Sequence, residues 1–312
     1  MASVAVIAQA GSSPDGGFEE LRAVLAAEGV GDALFYEVAH IRKAPQYARR
    51  ALDEGADLIF VWGGDGTVQL CIHGLAGRQA TVAILPGGTG NILAHNLGIP
   101  QDLAQAVHVG LHGTRRLIDT GTVNGEHFAV MAGAGLDALM MRDAATGVKD
   151  RIGPAAYLLS GAGNIGAPRV MASIVADGRT FFRGEISMVL VGNVGKTAGG
   201  ILIFKDAEPD DGILELAVVT ANNALDWART MGRVAMGSPE ESSFVEVTRG
   251  RRFEIRFAEP FLYEVDGNPR RAVKRLRIAA HPESITVCVP APTLDEASAT
   301  QQPSSDSGAK GT

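Results

Sequence analysis

The sequence predicts an α/β domain with a mostly parallel sheet, followed by a second domain built as an antiparallel β-sheet or sandwich. In residues 1–118, apolar runs of strand length alternate with segments of helical periodicity, which is typical of a parallel sheet covered on both faces. In residues 119–290 the runs are short and several alternate with a period of two, which favours antiparallel strands. Residues 291–312 are poor in apolar side chains, so we expect a disordered tail.

Each element of the first domain has its own signature in the sequence. A strand is predicted for each apolar run, and a helix where apolar residues recur at helical spacing, as Leu21 and Val24 do before Gly29. The predicted strands are Val4–Ala8, Leu34–Val38, Leu58–Trp62 and Val82–Leu85, and the predicted helices are Phe18–Glu28, Pro45–Glu54, Val68–Leu75 and Ile92–Leu97.

The second domain is predicted as short strands, and the last of them is free to return to the first domain. An apolar, glycine-interrupted segment at Ile152–Pro168 fits a core helix better than a lipid-facing one. The predicted strands are His127–Met131, Thr180–Phe182, Ile186–Val191, Ile213–Val219, Phe253–Phe257, Leu276–Ala279 and Ile285–Val289, and the predicted helices are Ala155–Ala162 and Ala224–Met236.

Composition and charge exclude several classes of protein. The formal charge of −7 argues against broad nucleic-acid binding. The only two cysteines, Cys71 and Cys288, lack the spacing of metal ligands and predict reduced thiols in a cytosolic protein. No apolar stretch approaches the roughly 20 residues that span a bilayer, and Met1–Val6 reads as a first strand rather than a secretory signal. We therefore expect a cytoplasmic protein.

The charge is unevenly distributed, because basic residues outnumber acidic ones between Arg249 and Arg277. This pattern is compatible with the solvated faces of antiparallel strands. It is also compatible with attraction to ATP phosphates or to an anionic membrane surface, where each basic residue adds about 1 kcal/mol.

Two glycine-rich turns, Gly63–Thr67 and Gly87–Asn91, carry most of the functional information. Each follows an apolar run that is predicted as a buried strand, and each opens into a predicted helix. A strand, a glycine turn and a helix start present free backbone N–H groups at the positive end of a helix dipole, which is an arrangement that binds phosphate. A single turn of this kind often only joins a strand to a helix. Two of them in succession predict a cradle for the phosphates of a nucleotide.

The polar residues of these turns suggest individual roles. Asp65 is unusual beside phosphates, so we expect it to organise Mg²⁺ or to handle a proton, although an aspartate can also serve a turn. The hydroxyls of Thr67 and Thr89 can donate hydrogen bonds to phosphate oxygens. Asn91 is explained equally well as a phosphate contact and as the N-cap of the next helix.

Three further motifs have alternative interpretations. Gly133–Ala138 matches the dinucleotide fingerprint, but it lies in the antiparallel half and lacks the acidic residue about 20 positions later, so a dehydrogenase is disfavoured. The acidic stretch Glu208–Ile213 is either a turn or a site for a hard cation such as Mg²⁺. Val265–Pro269 reads as a hairpin turn.

The order of these motifs resembles that of the bacterial diacylglycerol kinase catalytic family, a group of lipid kinases in the same superfamily as the NAD kinases. The likeness runs from the first strand to about Val289, and it rests on Gly63–Thr67, Leu85–Asn91, Leu97–Pro100, Gly133–Ala138, Asp211–Leu214 and Val265–Gly267. It implies an NAD kinase-like α/β domain, a C-terminal antiparallel β-sandwich and an active site in the cleft between them. It also implies transfer of the γ-phosphoryl group of ATP to a lipid hydroxyl, with Mg²⁺.

Site residues carried over from the family fall into three groups. Asp65, Asp266 and Asn268 lie at catalytic positions. The metal site implied in the second domain consists of Asp211 with carbonyl groups near Glu208 and Ile213. The implied ATP site comprises Gly63, Gly64, Asp65, Gly66, Thr67, Val68, Gln69, Gly87, Gly88, Thr89 and Asn91.

The chain departs from the family pattern at three places. The first strand ends in Ala8-Gln9-Ala10-Gly11 instead of Asn-Pro and a glycine turn. Gln69 and Leu70 replace the usual Asn-Glu pair. Asn268 replaces the glutamate that serves as general base, and an amide accepts no proton at neutral pH. Either Asp65 or Asp266 takes that role, or the rate falls by about 10²–10⁴-fold.

The sequence therefore leaves three hypotheses of different classes. The first is an ATP- and Mg²⁺-dependent lipid kinase, with diacylglycerol as the foremost substrate, peripheral contact with the inner face of the membrane, and a possible homodimer. The second is a nucleotide- or lipid-binding protein without activity, motivated by Leu70 and Asn268. The third is a soluble-substrate kinase of the NAD kinase type.

Overall fold

The computed structural model describes residues 3–9, 17–135, 138 and 169–292. The N-terminal half contains strands β1 (Val4–Gln9), β2 (Leu34–Val38), β3 (Leu58–Gly63) and β4 (Thr81–Pro86), and helices α1 (Gly17–Ala27), α2 (Ala44–Asp53), α3 (Asp65–Leu75), α4 (Ile92–Asn96) and α5 (Leu103–His112). The four strands are parallel, in the order β4-β3-β1-β2. This arrangement confirms the predicted α/β sheet.

Burial explains why β1 and β3 are continuous apolar runs. All six residues of β3 are buried, and five of the six in β1 are. Both strands lie inside the sheet with helices packed against them, so side chains on both faces of each strand leave water. The core of this half is formed by β1, β3 and β4 together with apolar residues of the helices.

The C-terminal half is an antiparallel β-sandwich, and its described residues include one further α-helix. Its elements are β5 (Thr114–Val123), β6 (Glu126–Phe128), β7 (Met131–Gly135), β8 (Val170–Ala176), β9 (Arg179–Ile186), β10 (Met188–Gly192), β11 (Leu214–Val219), α6 (Ala224–Ala235), β12 (Val245–Gly250), β13 (Arg252–Val265) and β14 (Asn268–Val289). The strand order is β12-β11-β10-β7-β13-β14, with β8 and β9 beyond β13, and β5 and β6 beyond β14. A second apolar core lies within this half.

One strand, β14, connects the two halves. Its first part pairs with β13, while Thr286 and Val287 pair in parallel with Thr81 and Val82 of β4. The chain therefore does return to the first sheet. The earlier strand β5 pairs with β14 over most of the length of β5. It contains residues 118 and 119, between which the boundary of the two domains was predicted.

The structure corrects several predicted elements. The strands predicted at Leu276–Ala279 and Ile285–Val289 are one strand, because the chain passes Pro282 in a bulge instead of a loop. The run His127–Met131 is broken between β6 and β7. Elements β5, β8, β12 and α5 were not predicted. The predicted helix Ala155–Ala162, the segment Ile152–Pro168 and nearly all of the predicted tail lie outside the described residues.

Among the described residues, none of the helices combines the length and the apolar character that crossing a membrane requires.

Candidate active site

The two glycine turns lie side by side because the strands that precede them are neighbours. Trp62 of β3 is in register with Leu85 of β4, and Gly63 with Pro86. The backbone N–H of Gly87 donates to the carbonyl oxygen of Gly63 at 3.1 Å, which joins the two turns. Both turns therefore open at the carboxyl edge of the parallel sheet, where ligands of such sheets bind.

Close approach of the two backbones explains the glycines. A Cβ added to Gly88 would lie 2.5 Å from the Cα of Gly64, and a Cβ on Gly64 would lie 3.3 Å from the Cα of Gly88. The neighbouring atoms are main chain, so they cannot rotate away. Any larger residue at Gly88 has to push the turns apart, and the main-chain surface between them would change.

The first turn is tighter than the sequence predicted. Helix α3 begins at Asp65 instead of Val68, and Gly64 occupies its N-cap position in an extended conformation. Asp65, Gly66 and Thr67 consequently form the first helical turn. Their backbone N–H groups belong to the positive end of the helix dipole.

Asp65 connects the first turn to the beginning of α4. Its Oδ1 accepts a hydrogen bond from the backbone N–H of Ile92 at 2.5 Å. Burial raises the pKa of Asp65, while backbone amides of Ile92, Asn91 and Leu93 lower it. A Cβ on Gly90 would lie 2.7 Å from Oδ2 of Asp65, so the second turn closes over this carboxylate.

Asn91 holds the second turn rather than capping α4. It occupies the N-cap position with a left-handed backbone (φ 45°), but its side chain makes no hydrogen bond to the helix. Instead its Oδ1 accepts from Gly88 N at 2.9 Å, and its Nδ2 donates to Gly88 O at 2.7 Å and to Gln101 Oε1 at 2.8 Å. The carboxylate of Asp65 takes the capping role that the sequence offered to Asn91.

Three side chains predicted for the ATP loop face the protein interior. Thr67 is 1% exposed, and its hydroxyl donates to Gln9 Oε1 at the end of β1. Gln69 is equally buried and donates to the carbonyl oxygen of His127 on β6 at 2.7 Å, and Val68 is buried in the core. Thr89, by contrast, is exposed at the tip of the second turn. Of the two threonine hydroxyls predicted to contact phosphate, only that of Thr89 lies at an exposed residue.

The hairpin between β13 and β14 faces the first turn from the second domain. Asp266 (φ 43°) and Gly267 (φ 77°) both have left-handed backbones, which confirms the predicted hairpin turn. Oδ1 and Oδ2 of Asp266 accept hydrogen bonds from Ala129, Val130 and Met131, at 2.8 to 3.0 Å. Asp266 thereby fastens the hairpin to the break between β6 and β7.

The two predicted catalytic aspartates influence each other electrostatically. Asp266 is 6% exposed, and burial raises its pKa to about 7 despite the three backbone amides. The negative charge of Asp65 raises this pKa further. Asp65 is the more accessible of the two carboxylates, since it is only partly buried.

Asn268, the first residue of β14, lies against the first turn of α3. A Cβ on Gly66 would lie 2.9 Å from Nδ2 of Asn268. The same Nδ2 donates to the carbonyl oxygen of Asp266 at 3.3 Å. The structure therefore brings Asp65, Asp266 and Asn268 together where the two halves meet.

Glu264 is an acidic residue of this region that sequence reasoning missed. It is 1% exposed and its Oε2 accepts a hydrogen bond from Gly267 N at 2.5 Å. The sequence feature that could have revealed it is a single carboxylate within the apolar run at the end of β13. It supports the turn that carries Asp266. Nearby, Arg270 and Glu126 form an ion pair that ties β14 to β6.

The acidic turn predicted to hold Mg²⁺ is occupied by protein contacts. Asp211 accepts hydrogen bonds from Ile213 N at 2.9 Å and from Arg249 Nη2 at 2.7 Å. The neighbouring Asp210 pairs with Arg116, and Pro209 O accepts from the backbone of Asp119. A metal site at Glu208, Asp211 and Ile213 stays a prediction, and it requires Arg249 to move away from Asp211.

Much of the basic stretch 249–277 is neutralised by neighbouring carboxylates. Glu254 pairs with both Arg256 and Arg275, and Arg249 contacts Glu215 as well as Asp211. These pairs fit the interpretation of solvated strand faces.

Comparison with known proteins matches both halves of the chain. Residues 5–123 match the diacylglycerol kinase catalytic domain, and residues 130–289 match the YegS C-terminal NAD kinase beta sandwich-like domain. A crystal structure of a diacylglycerol kinase from Bacillus anthracis superimposes with a TM-score of 0.75 at 26% identity, covering 92% of this chain and 96% of that one.

Two curated relatives extend the likeness at the level of sequence. A Diacylglycerol kinase of Bacillus subtilis is 30% identical over 72% of this chain and 75% of its own length. A protein of Pseudomonas aeruginosa named "Probable lipid kinase YegS-like" is 31% identical over 88% of this chain and 91% of its own length. With both halves matched and relatives at 30% and 31% identity over more than two thirds of the chain, the chain belongs to the diacylglycerol kinase catalytic-domain family.

Proposed function

We propose that this protein is an ATP- and Mg²⁺-dependent lipid kinase that transfers the γ-phosphoryl group of ATP to a lipid hydroxyl, with diacylglycerol as the foremost acceptor. One observation carries the proposal: the paired glycine turns meet Asp65, Asp266 and Asn268 at one place between the two halves. Membership of a lipid kinase family supports the acceptor class.

The ATP phosphates are proposed to lie over the paired turns. The residues fit an anion there because the first turn of α3 presents backbone N–H groups at the N-terminus of the helix. In addition, no side chain can lie between Gly64 and Gly88, because their backbones are in contact. Thr89 can donate its hydroxyl from the exposed tip of the second turn. The remaining residues of the two turns would mainly keep the turns in shape, since the side chain of Asn91 is already bonded to Gly88. These residues are Gly63, Gly66, Gly87 and Asn91.

Asp65 is the proposed partner of Mg²⁺ beside those phosphates. Its carboxylate oxygens are of the type that Mg²⁺ prefers, and a carboxylate next to phosphates is unfavourable unless a cation lies between them. When bound, Mg²⁺ would neutralise charge on the transferring phosphoryl group. Asp65 is fixed by its hydrogen bond from Ile92, so it would be held in place before the nucleotide arrives.

Proton removal from the lipid hydroxyl is assigned to Asp65 instead of Asn268 or Asp266. The amide of Asn268 cannot accept a proton, and both oxygens of Asp266 are already bonded to backbone N–H groups. Positioning and charge neutralisation supply most of the acceleration in phosphoryl transfer, so a weakened base lowers the rate without abolishing it.

The lipid acceptor implies peripheral contact with the inner face of the membrane from the cytoplasm, because the hydroxyl of a lipid is presented there. A homodimer is compatible with this function. A second candidate is a nucleotide- or lipid-binding protein without activity, which Asn268 favours. A soluble-substrate kinase of the NAD kinase type is the third.

The decisive experiment follows labelled γ-phosphate from ATP to a panel of lipids in mixed micelles with Mg²⁺. The wild type is compared with Asp65→Asn and with the control Asp226→Asn, whose carboxylate likewise accepts a backbone hydrogen bond but lies on the first turn of α6. We expect a labelled lipid with the wild type and the control, and a large loss with Asp65→Asn. If ATP binds and no lipid is labelled, the lipid kinase proposal fails. Labelling of NAD instead would favour the soluble-substrate kinase.

A further inference from the structure

Three potential metal ligands meet at the end of α1, outside the proposed active site. Glu28 follows α1 directly, and His108 and His112 are one turn apart on α5, so their rings lie on the same side of that helix. Nδ1 of His108 lies 3.3 Å from Oε1 of Glu28, and Nε2 of His112 lies 3.0 Å from Oε2 of the same residue. The two imidazole centroids are 4.6 Å apart.

The two nitrogen–oxygen separations, which involve different oxygens of Glu28, are close to the ligand spacing around a tetrahedral metal ion. Zinc bonds to nitrogen and oxygen of about 2.0–2.1 Å place neighbouring ligand atoms about 3.3 Å apart. One nitrogen from each histidine and one oxygen of Glu28 all lie within 4.8 Å of one another, and this is the only such group within residues 3–9, 17–135 and 169–292. Two imidazoles with one carboxylate favour Zn²⁺ and similar first-row ions over Mg²⁺.

The surrounding backbone also favours a cation. Both α1 and α5 end at this cluster, so the negative ends of two helix dipoles are directed to it. The last turn of α1 contains no basic residue that would neutralise its end.

The cluster is separate from the glycine turns. Helices that follow parallel strands begin at the carboxyl edge of the sheet and end at the opposite edge. The glycine turns lie at the first edge, whereas α1, which follows β1, ends at the second, and His108 and His112 contact Glu28 there. A metal ion bound at this cluster would therefore lie away from the proposed nucleotide site.

We propose that Glu28, His108 and His112 bind a divalent transition-metal ion of the Zn²⁺ type, with water completing its coordination. The ion would link the end of α1 to the last turn of α5, two helices that are otherwise joined here by hydrogen bonds between exposed or half-exposed side chains. The competing explanation is a histidine–glutamate–histidine hydrogen-bonded group that holds no metal.

The test uses the full chain without a histidine tag, stripped with chelator and dialysed, and the probe is Zn²⁺ or Co²⁺ alone. We expect one equivalent of Zn²⁺ to bind by calorimetry, Co²⁺ to give visible absorption typical of tetrahedral coordination, and Zn²⁺ to raise the melting temperature. His108→Gln and His112→Gln should each weaken binding by at least about tenfold, whereas His95→Gln, at another exposed histidine, should not.

Both cluster histidines are exposed, with 63% and 54% of their side-chain surface accessible, so the substitutions leave the fold intact. Absence of stoichiometric binding by the wild type would overturn the proposal. Binding that is equal in the wild type and the two variants would overturn it as well, because the ion would then reside on other groups.

Discussion

Asn268 lies directly over Gly66, with its Nδ2 2.9 Å from the point that a Cβ on Gly66 would occupy. This contact places the hairpin of the second half against the first helical turn of the glycine loop. It also puts an amide at the position where the resemblance to the family implies a catalytic glutamate. The relationship makes this residue the most informative one to change.

We expect Asn268→Glu to raise the rate of lipid phosphorylation by about 10²-fold, because a carboxylate here can accept the proton of the lipid hydroxyl. Initial rates at saturating ATP measure the effect. The control is Asn268→Gln, because glutamine has the same length as glutamate but its amide accepts no proton. If both variants have the wild-type rate, the proton already goes to another group such as Asp65.

Gly88→Ala is expected to weaken ATP binding by at least about tenfold, equivalent to about 1.4 kcal/mol. The added Cβ would meet the Cα of Gly64 at 2.5 Å and separate the two turns. Nucleotide titration by calorimetry measures the loss. The matched control is Gly232→Ala on α6, where no atom lies within 4 Å of the added Cβ and the helix should gain about 0.5–1 kcal/mol. Unchanged ATP affinity in Gly88→Ala would contradict the proposed cradle.

Asp266→Asn should destabilise the fold by about 1–3 kcal/mol, because an NH₂ group would then face backbone N–H donors that now bond to a carboxylate. Denaturant unfolding at pH 8 measures this loss. Asp226→Asn is again the control, since its carboxylate is partly exposed and accepts one backbone hydrogen bond. Equal stability of the two variants would show that the three hydrogen bonds contribute little.

His127 should make the protein less stable in acid. Burial and the neighbouring His281 and His73 lower its pKa to about 4 from an ordinary value of 6.5. Between these two values the unfolded chain binds a proton that the folded chain does not, so stability is lost as the pH falls from 6.5 towards 4. In His127→Gln this loss disappears.

The measurement is the free energy of unfolding of wild type and His127→Gln at several pH values. The wild type should lose free energy of unfolding relative to His127→Gln as the pH falls from 6.5 towards 4. His95→Gln, at an exposed histidine, serves as the control. A constant difference would mean that His127 titrates alike in the folded and unfolded chain. Asp266 acts oppositely, since its raised pKa stabilises the fold as the pH falls from 7 towards 4.

Most of the first domain could be predicted because its signals are local. The apolar run Leu58–Trp62 becomes a buried strand within one residue of its predicted bounds, and Gly55 ends the preceding helical segment with a positive φ. The second domain was predicted less well. Strand β12 is half-exposed and carries few apolar residues, so its sequence contains little evidence of a strand.

Individual side-chain roles were harder to predict, because they depend on distant partners. Thr67 could have pointed to a phosphate, but it donates to Gln9, which is 58 residues away in the chain. Asn91 has the sequence position of an N-cap, but Asp65 supplies that hydrogen bond. No local pattern distinguishes these alternatives.

By itself, the sequence determined the strand–turn–helix units, the two glycine turns and the hairpin that contains Asp266 and Gly267. The physical reason is that hydrophobic periodicity and glycine's backbone freedom act within a few residues. Only the tertiary structure decided that Asp65 raises the pKa of Asp266, that Asn268 covers Gly66, and that Glu28 meets His108 and His112. Such pairings arise when buried apolar surfaces pack and bring distant segments into register.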